Sequence, residues 1–341
     1  MSERTIDVPD PDPAQPAGGP APDSPYKNLL VPLVVVPFLV VGVLVLVFVF
    51  FGAVTGDDVG LEENLRRLSH GGTNESKQAA MSLVAQAVEN RSAQVAGKPE
   101  PWSVPEDFAD KLELAWQDIG DDPLEGYKRL ALAQFAALYR YPGAKDKLAS
   151  ILALPRVTAA NPEYDGVVFK LRALVSGIDP KDHDGQMRLY AMLGLTWLDD
   201  PSVVELILPF LKDEDPYVRL FTAGVLQQLP GAASIDALRG LLDDPSLELR
   251  GQAAVSLSHL GDASGAAVLL ELVDPQTYVK VRASAPKKYE MPQYVRDSRT
   301  KAVQALARLD RPELRERLRE VAEQDEDPIV REAAMRAVNP R

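Results

Sequence analysis

The 341-residue chain contains no cysteine. Disulfides, thiolate nucleophiles and cysteine-held zinc are excluded with it. Histidine is nearly absent: His70, His183 and His259 are the whole supply, and none is followed by glutamate. Positive charge is also short. Thirty-seven Lys and Arg stand against 50 Asp and Glu, for a net charge of −13. A nucleic-acid binder needs cationic surface to displace counterions, so this balance argues against nucleic acid as a partner. No P-loop, G-x-S-x-G or G-x-G-x-x-G stands out. What remains is a chain of ordinary hydrophobic content, 46%, long enough for one large domain or two ordinary ones.

Residues 1–28 are rich in Pro, Ala, Gly and Asp, with almost no large apolar residue after Val8. Such a segment cannot bury enough surface to offset its ordering entropy, so its composition predicts disorder. The stretch Leu29–Val54 is the opposite: 26 residues without a charge. At about 1.5 Å per residue a helix of that length reaches about 39 Å, more than the hydrocarbon core of a bilayer. Pro32 suits a first turn, and Pro37 would kink the helix. The preceding region is long and acidic and no A-x-A site follows, unlike a cleaved signal peptide. The expectation is a single-pass anchor in a bacterial inner membrane. Lys27 on one side and Arg66 and Arg67 on the other do not decide which side holds the remainder.

The rest of the chain is periodic. Arg188, Arg219, Arg250, Arg299 and Arg331 open similar segments, spaced 31, 31, 49 and 32 residues apart. A small residue follows each at three or four positions: Ala191, Ala223, Ala253, Ala302, Ala334. An apolar residue comes at plus seven: Leu195, Leu226, Leu257, Leu306, Val338. Steps of three and four mark one helix face. A second amphipathic run follows each of the first four, such as Ile235, Leu238 and Leu242, or Leu314, Leu318 and Val321. Each unit thus reads as two helices joined by a short turn. Pro209 falls inside its second helix and should bend or shorten it. Asp-Pro pairs at 215–216, 244–245 and 327–328 read as helix starts, the aspartate capping and the proline taking the first position. Each aspartate precedes a repeat arginine by four or six residues, which permits an Asp–Arg contact. Across a stack such contacts would form a ladder; the alternative is a set of separately solvated charges.

These segments resemble the HEAT-repeat family, in the short form also called PBS-lyase-like HEAT repeats. "DPYVRLFTAGVLQQLPG" and "DPSLELRGQAAVSLSHLGD" carry the likeness, which is strong over 184–274 and from 298 onward. It is weak over Tyr127–Leu154, which looks like a degenerate repeat, and absent before about residue 120. The resemblance implies an all-α fold, an α-solenoid of stacked helix pairs with an extended binding surface. The expected organisation is a tail at 1–28, a transmembrane helix at 29–54, a membrane-proximal helical cap at 55–123, and a solenoid at 124–341. Segment 155–186 reads as one helix, "GVVFKLRALVSGI", in otherwise irregular chain.

No residue is expected to be catalytic, and no metal or cofactor is expected. Asp182, His183 and Asp184 are consecutive and cannot easily converge on one ion, so they read as a polar turn. HEAT-like deoxyhypusine hydroxylases hold di-iron with His-Glu pairs, which this sequence lacks. The 49-residue spacing, however, contains an insert at Pro275–Asp297 that is basic in an acidic protein. It reads as a partner-docking loop carrying Tyr278, Lys280, Arg282, Lys287, Lys288, Tyr289, Tyr294 and Arg296. The expected function is a membrane-anchored scaffold or accessory subunit that binds another protein. The alternatives are an enzyme with an unrecognised site in 59–186 and a ligand-binding regulator.

Overall fold

The structure, a computed structural model, describes residues 59–120, 122–154, 167–176, 180–282 and 287–339. The expected tail and membrane anchor lie outside the described residues. Among those described, every regular element is a helix and none is long and apolar enough to cross a membrane.

The chain runs through α1 (Leu61–His70), α2 (Thr73–Val95) and α3 (Phe108–Asp118). A 3-10 turn at Pro123–Glu125 leads into α4 (Gly126–Leu138), followed by α5 (Ala144–Leu152) and α6 (Val167–Ser176). Next come α7 (Pro180–Thr196), α8 (Val204–Ile207), α9 (Pro216–Val225), α10 (Ala232–Arg239), α11 (Leu247–His259) and α12 (Ala266–Val273). The last part holds α13 (Pro275–Arg282), a 3-10 turn at Lys287–Glu290, α14 (Pro292–Arg308), α15 (Pro312–Gln324) and α16 (Pro328–Val338). All sixteen helices among the described residues fall in one unit, Gly60–Arg341.

The stack has a spine. Helices α2, α4, α7, α9, α11, α14 and α16 each pack on the next. The periodic positions line it: Ala191, Ala223, Ala253, Ala302 and Ala334 are all buried, as are Leu195, Leu226, Leu257 and Leu306. A fully buried leucine of this kind contributes about 1.5–3 kcal/mol. Small residues let the helices close up. At Gly265, just before α12, an added Cβ would lie 2.7 Å from the Ala254 Cα of α11.

The helix starts follow the Asp-Pro device. Asp215 accepts from Tyr217 N at 2.8 Å, and Asp327 from Ile329 N at 2.9 Å. Asp244-Pro245 departs from expectation. Asp244 accepts from Ser246 N, and Ser246 becomes the cap, its hydroxyl accepting from Leu249 N. The helix therefore starts at Leu247, later than the pair suggested. Pro209 shortens its helix as expected: α8 stops at Ile207 and the chain continues as a 3-10 turn, Leu208–Lys212. Segment 155–186 is more regular than expected, because α7 begins at Pro180. Asp182, His183 and Asp184 thus lie on the first turns of a helix rather than in a turn. In sequence, Asp179-Pro180 repeats the Asp-Pro pair of the other starts, ahead of a segment too polar to show an apolar face.

The repeat arginines do not chiefly seek carboxylates. Arg188 donates to the carbonyls of Leu152 and Leu154, at 2.8 and 2.6 Å. Arg219 donates to those of Asp213 and Glu214, Arg250 to those of Asp244 and Pro245, Arg299 to that of Val273, and Arg331 to that of Asp325. Each one satisfies carbonyls left without a helical partner where the preceding helix ends. A carboxylate ladder forms only in part. Arg250 pairs with Glu271 at 3.0 Å, and the buried Arg299 pairs with the buried Asp325 of the next unit.

Arg129 does the same job in the degenerate repeat, donating to Ile119 O at 3.2 Å. In α2 a serine takes over, Ser76 donating to the carbonyls of Arg67 and Gly71. The register extends to the turns as well. Arg140, Asp199, Gly261 and Asp310 stand eleven residues after Arg129, Arg188, Arg250 and Arg299, and all four have positive φ.

Candidate partner-binding surface at the 275–297 insert

The insert at 275–297 is not a plain loop. Asp274 accepts from Gln276 N at 2.9 Å and starts α13. Thr277 donates from its hydroxyl to Glu271 O at 2.7 Å, tying that helix back to the end of α12. Tyr278 is 1% exposed and its hydroxyl donates to Leu272 O at 3.0 Å. Tyr289 is 3% exposed, with its ring 6.0 Å from that of Tyr278 and 5.6 Å from that of Tyr294, the latter edge-on. The three rings fill space between α11, α13 and α14. These tyrosines had been expected to meet a partner. Tyr278 and Tyr289 instead lie in the core, because each hydroxyl finds an acceptor inside the stack.

One carboxylate organises the cluster. The Tyr289 hydroxyl donates to Glu248 Oε1 at 2.9 Å and the Tyr294 hydroxyl donates to the same oxygen at 3.1 Å. Lys288 pairs with that oxygen too, and its ammonium lies 5.7 Å from the Tyr294 ring centroid. Burial first, and then the Glu248 carboxylate, push the hydroxyls of Tyr289 and Tyr294 well above the usual tyrosine range. Burial does the same to Tyr278. All three are held as neutral donors.

Arg296 is likewise engaged, its Nε 2.8 Å from Asp327 Oδ2. Burial opposes the charge on Asp327, but Arg296 and the amides of Ile329 and Val330 hold its carboxyl below the usual range. Lys280 and Lys287 are exposed, beside exposed Val279 and Met291. The Arg282 side chain lies outside the described residues. Of the eight expected docking residues, the structure therefore brings Tyr278, Lys288, Tyr289, Tyr294 and Arg296 into the stack and leaves Lys280 and Lys287 on its surface.

Sequence reasoning missed Glu248. Its signal was positional: it stands two residues before Arg250, at the first turn of α11, where a side chain faces the insert. Of the other polar candidates, His70 ends α1 and His259 ends α11. Burial, then repulsion from Arg308, lowers the His259 pKa. Among the described residues no group of three or more His, Asp or Glu could hold a metal ion.

No curated protein matches the sequence. Among solved structures the chain is similar to human deoxyhypusine hydroxylase in complex with glycerol, at 14% identity over 82% of this chain and 94% of that one. The TM-score is 0.24, a likeness too slight to carry an argument. Residues 171–246 and 206–285 match the family model described as HEAT repeats. That span takes in the helix pairs headed by Arg188, Arg219 and Arg250, so residues 171–285 carry HEAT repeats in sequence, and its described residues form stacked helix pairs.

Proposed function

We propose that the protein is a membrane-anchored HEAT-repeat scaffold, an accessory subunit that binds another protein along its helix stack. The observation that carries this reading is the stack itself. Similar helix pairs recur with their polar backbone ends satisfied internally, and the turns between them repeat along one edge. Stacks of this kind offer extended surfaces rather than one closed site. The uncharged stretch Leu29–Val54 supports the anchor, and with it a single-pass protein of a bacterial inner membrane. Exposed Lys280 and Lys287, with exposed Val279 and Met291 in the same 275–297 insert, support a contact there with an acidic protein surface.

A mild-detergent pull-down of the full-length chain, read by mass spectrometry, tests the reading. A specific protein should be retained. Lys280→Glu with Lys287→Glu should weaken its capture and its salt sensitivity while leaving the melting temperature unchanged. Capture of nothing specific would remove the scaffold reading. Capture unchanged in the double variant would remove the insertion from the contact.

A further inference from the structure

Helix α2 carries the same step of four and three residues on two opposite faces. Ser76, Ala80, Leu83, Ala87 and Asn90 form one of them and are all buried. This is the face the stack uses, since α2 packs on α1 and α4. Ser76 donates to Arg67 O in α1, and Asn90 donates to the Tyr139 hydroxyl, just after α4, at 2.6 Å. Gln78, Met81, Ala85, Val88, Ser92 and Val95 form the other face, about half a turn round the helix. All six are exposed, Met81 to 76% and Val95 to 78%.

A helix that serves only its own stack is charged or polar on its outer side. Here the outer seam has no charge, in a chain that is 26% charged. Steps of four and three are the core spacing of a coiled coil. Met81, Val88 and Val95 take one core position, and Gln78, Ala85 and Ser92 take the other. Charges stand at the margins and are sorted by sign. Lys77 and Arg91 border the seam on one side, Glu75 and Glu89 on the other. Both glutamates have internal contacts as well, Glu75 with Arg67 at 3.7 Å and Glu89 with Trp102 Nε1 at 2.6 Å. The sorting therefore sets direction more than strength.

We propose that this face of α2 pairs with the same face of a second copy of the chain, as a short parallel coiled coil. Charge complementarity selects both occupant and direction. In a parallel pair the cationic margin of one copy lies along the acidic margin of the other, whereas an antiparallel pair sets like margins together. Gln78 then faces Gln78 of the second copy, and the two side-chain amides can bond each other, which fixes the register. Each copy carries a net charge of −13, so an uncharged seam is where two copies can meet without repulsion at the contact. A lipid surface is disfavoured, because the margins are as acidic as they are basic. The segment 1–28, with almost no large apolar residue after Val8, offers the seam nothing to bury. A single helix face falls short of the roughly 800 Å² per partner of a standard stable interface. The pairing therefore rests on the anchored reading for its strength: two copies held in one membrane meet at a raised effective concentration.

The test is disulfide cross-linking of the full-length protein, both concentrated in mild detergent and reconstituted into phosphatidylcholine vesicles. The chain has no cysteine, so each introduced thiol stands alone. Met81→Cys, Val88→Cys and Val95→Cys should each give a linked dimer on mild oxidation, because like core positions face each other in a parallel pair. Ile329→Cys, exposed on α16, should stay monomeric. Met81→Cys mixed with a tagged Val95→Cys protein should give no mixed product. Val88→Glu added to Met81→Cys should reduce its dimer about tenfold or more, with a melting temperature that matches the parent. Linkage as strong at Ile329 as on the seam, or a mixed 81–95 product in place of the like pairs, would overturn the proposal. So would the absence of any seam dimer under both conditions, which would leave the face to a different partner. The two readings fail separately. Seam dimers in detergent with no protein retained by vesicles would sink the anchor alone, while retention by vesicles without linkage at 81, 88 or 95 would sink the pairing alone.

Discussion

The two long spacings of the repeat, 59 residues from Arg129 to Arg188 and 49 from Arg250 to Arg299, each hold an insertion, and the two end differently. The first yields α6, an apolar decamer whose Val168, Leu171 and Leu174 are more than half exposed. Ala173 is buried and Arg172 reaches Asp122. The second is less apolar and more charged, yet it is bound into the core by Tyr278 and Tyr289. Apolar content alone does not decide which insertion becomes structure. The second carries large side chains with polar ends, and the stack offers acceptors in the right places: Leu272 O and Glu248 Oε1. Rings can then fill the interior without stranding a hydroxyl. Val168, Leu171 and Leu174 of α6 carry no polar end that such an acceptor could hold.

The sharpest way to break this contrast is through the stack that both insertions share. Leu257 is wholly buried on the spine, and Leu257→Asp should cost about 4 kcal/mol or more by placing an unpaired charge in the core. Thermal melting would show it as loss of a cooperative transition. Next come the ties of the second insertion. Tyr278→Ala should cost about 3 kcal/mol, as truncation of a buried ring does. Arg299→Met should cost a similar amount, about 3 kcal/mol, because it strands the buried Asp325 carboxylate. A Tyr278→Ala protein that melts with the parent would return the insertion to the surface. At the small end, Leu171→Ser in α6 and His183→Ala in α7 should each shift stability by less than about 0.5 kcal/mol. A large loss at Leu171 would mean that α6 is packed after all.

Alkali offers a gentler probe. Tyr278, Tyr289 and Tyr294 have folded pKa values raised above that of a free tyrosine, near about 10. Their contribution is complete below that pH and is lost as pH rises through the folded values. Ultraviolet titration should therefore find a tyrosine class that ionises only when the second insertion lets go. Acid acts at the turns. Asp200 is held down at about 2, first by the Ser202 hydroxyl and then by Lys145. Its stabilisation is present above the ordinary carboxylate range and is lost as pH falls toward 2, so melts should weaken at that limb.

Much of the stack is legible in the sequence, and the reason is periodicity. Arg188, Arg219, Arg250, Arg299 and Arg331 mark the register, and the alanines and leucines behind them fix the buried face. What the arginines bind is not legible, because a carbonyl acceptor carries no residue signature. The same holds for Arg129 and Ser76, which play that role in units whose side chains no longer match the pattern. The insertion misleads for a related reason. Tyrosine and arginine mark interface hot spots as readily as interior hydrogen-bonded clusters, and only the placement of Glu248 separates the two. The start of α7 was hidden by polarity, although Asp179-Pro180 announces it.

Native-state hydrogen exchange tests the central contrast most directly. Amides of 277–282 and 288–290 should be protected to nearly the level of α11 and α14, since they open only with the packed tyrosines. Amides of α6 should exchange at least about a hundredfold faster, through local opening that leaves the stack intact. Equal protection of the two insertions, or fast exchange across 277–282 and 288–290, would contradict the account.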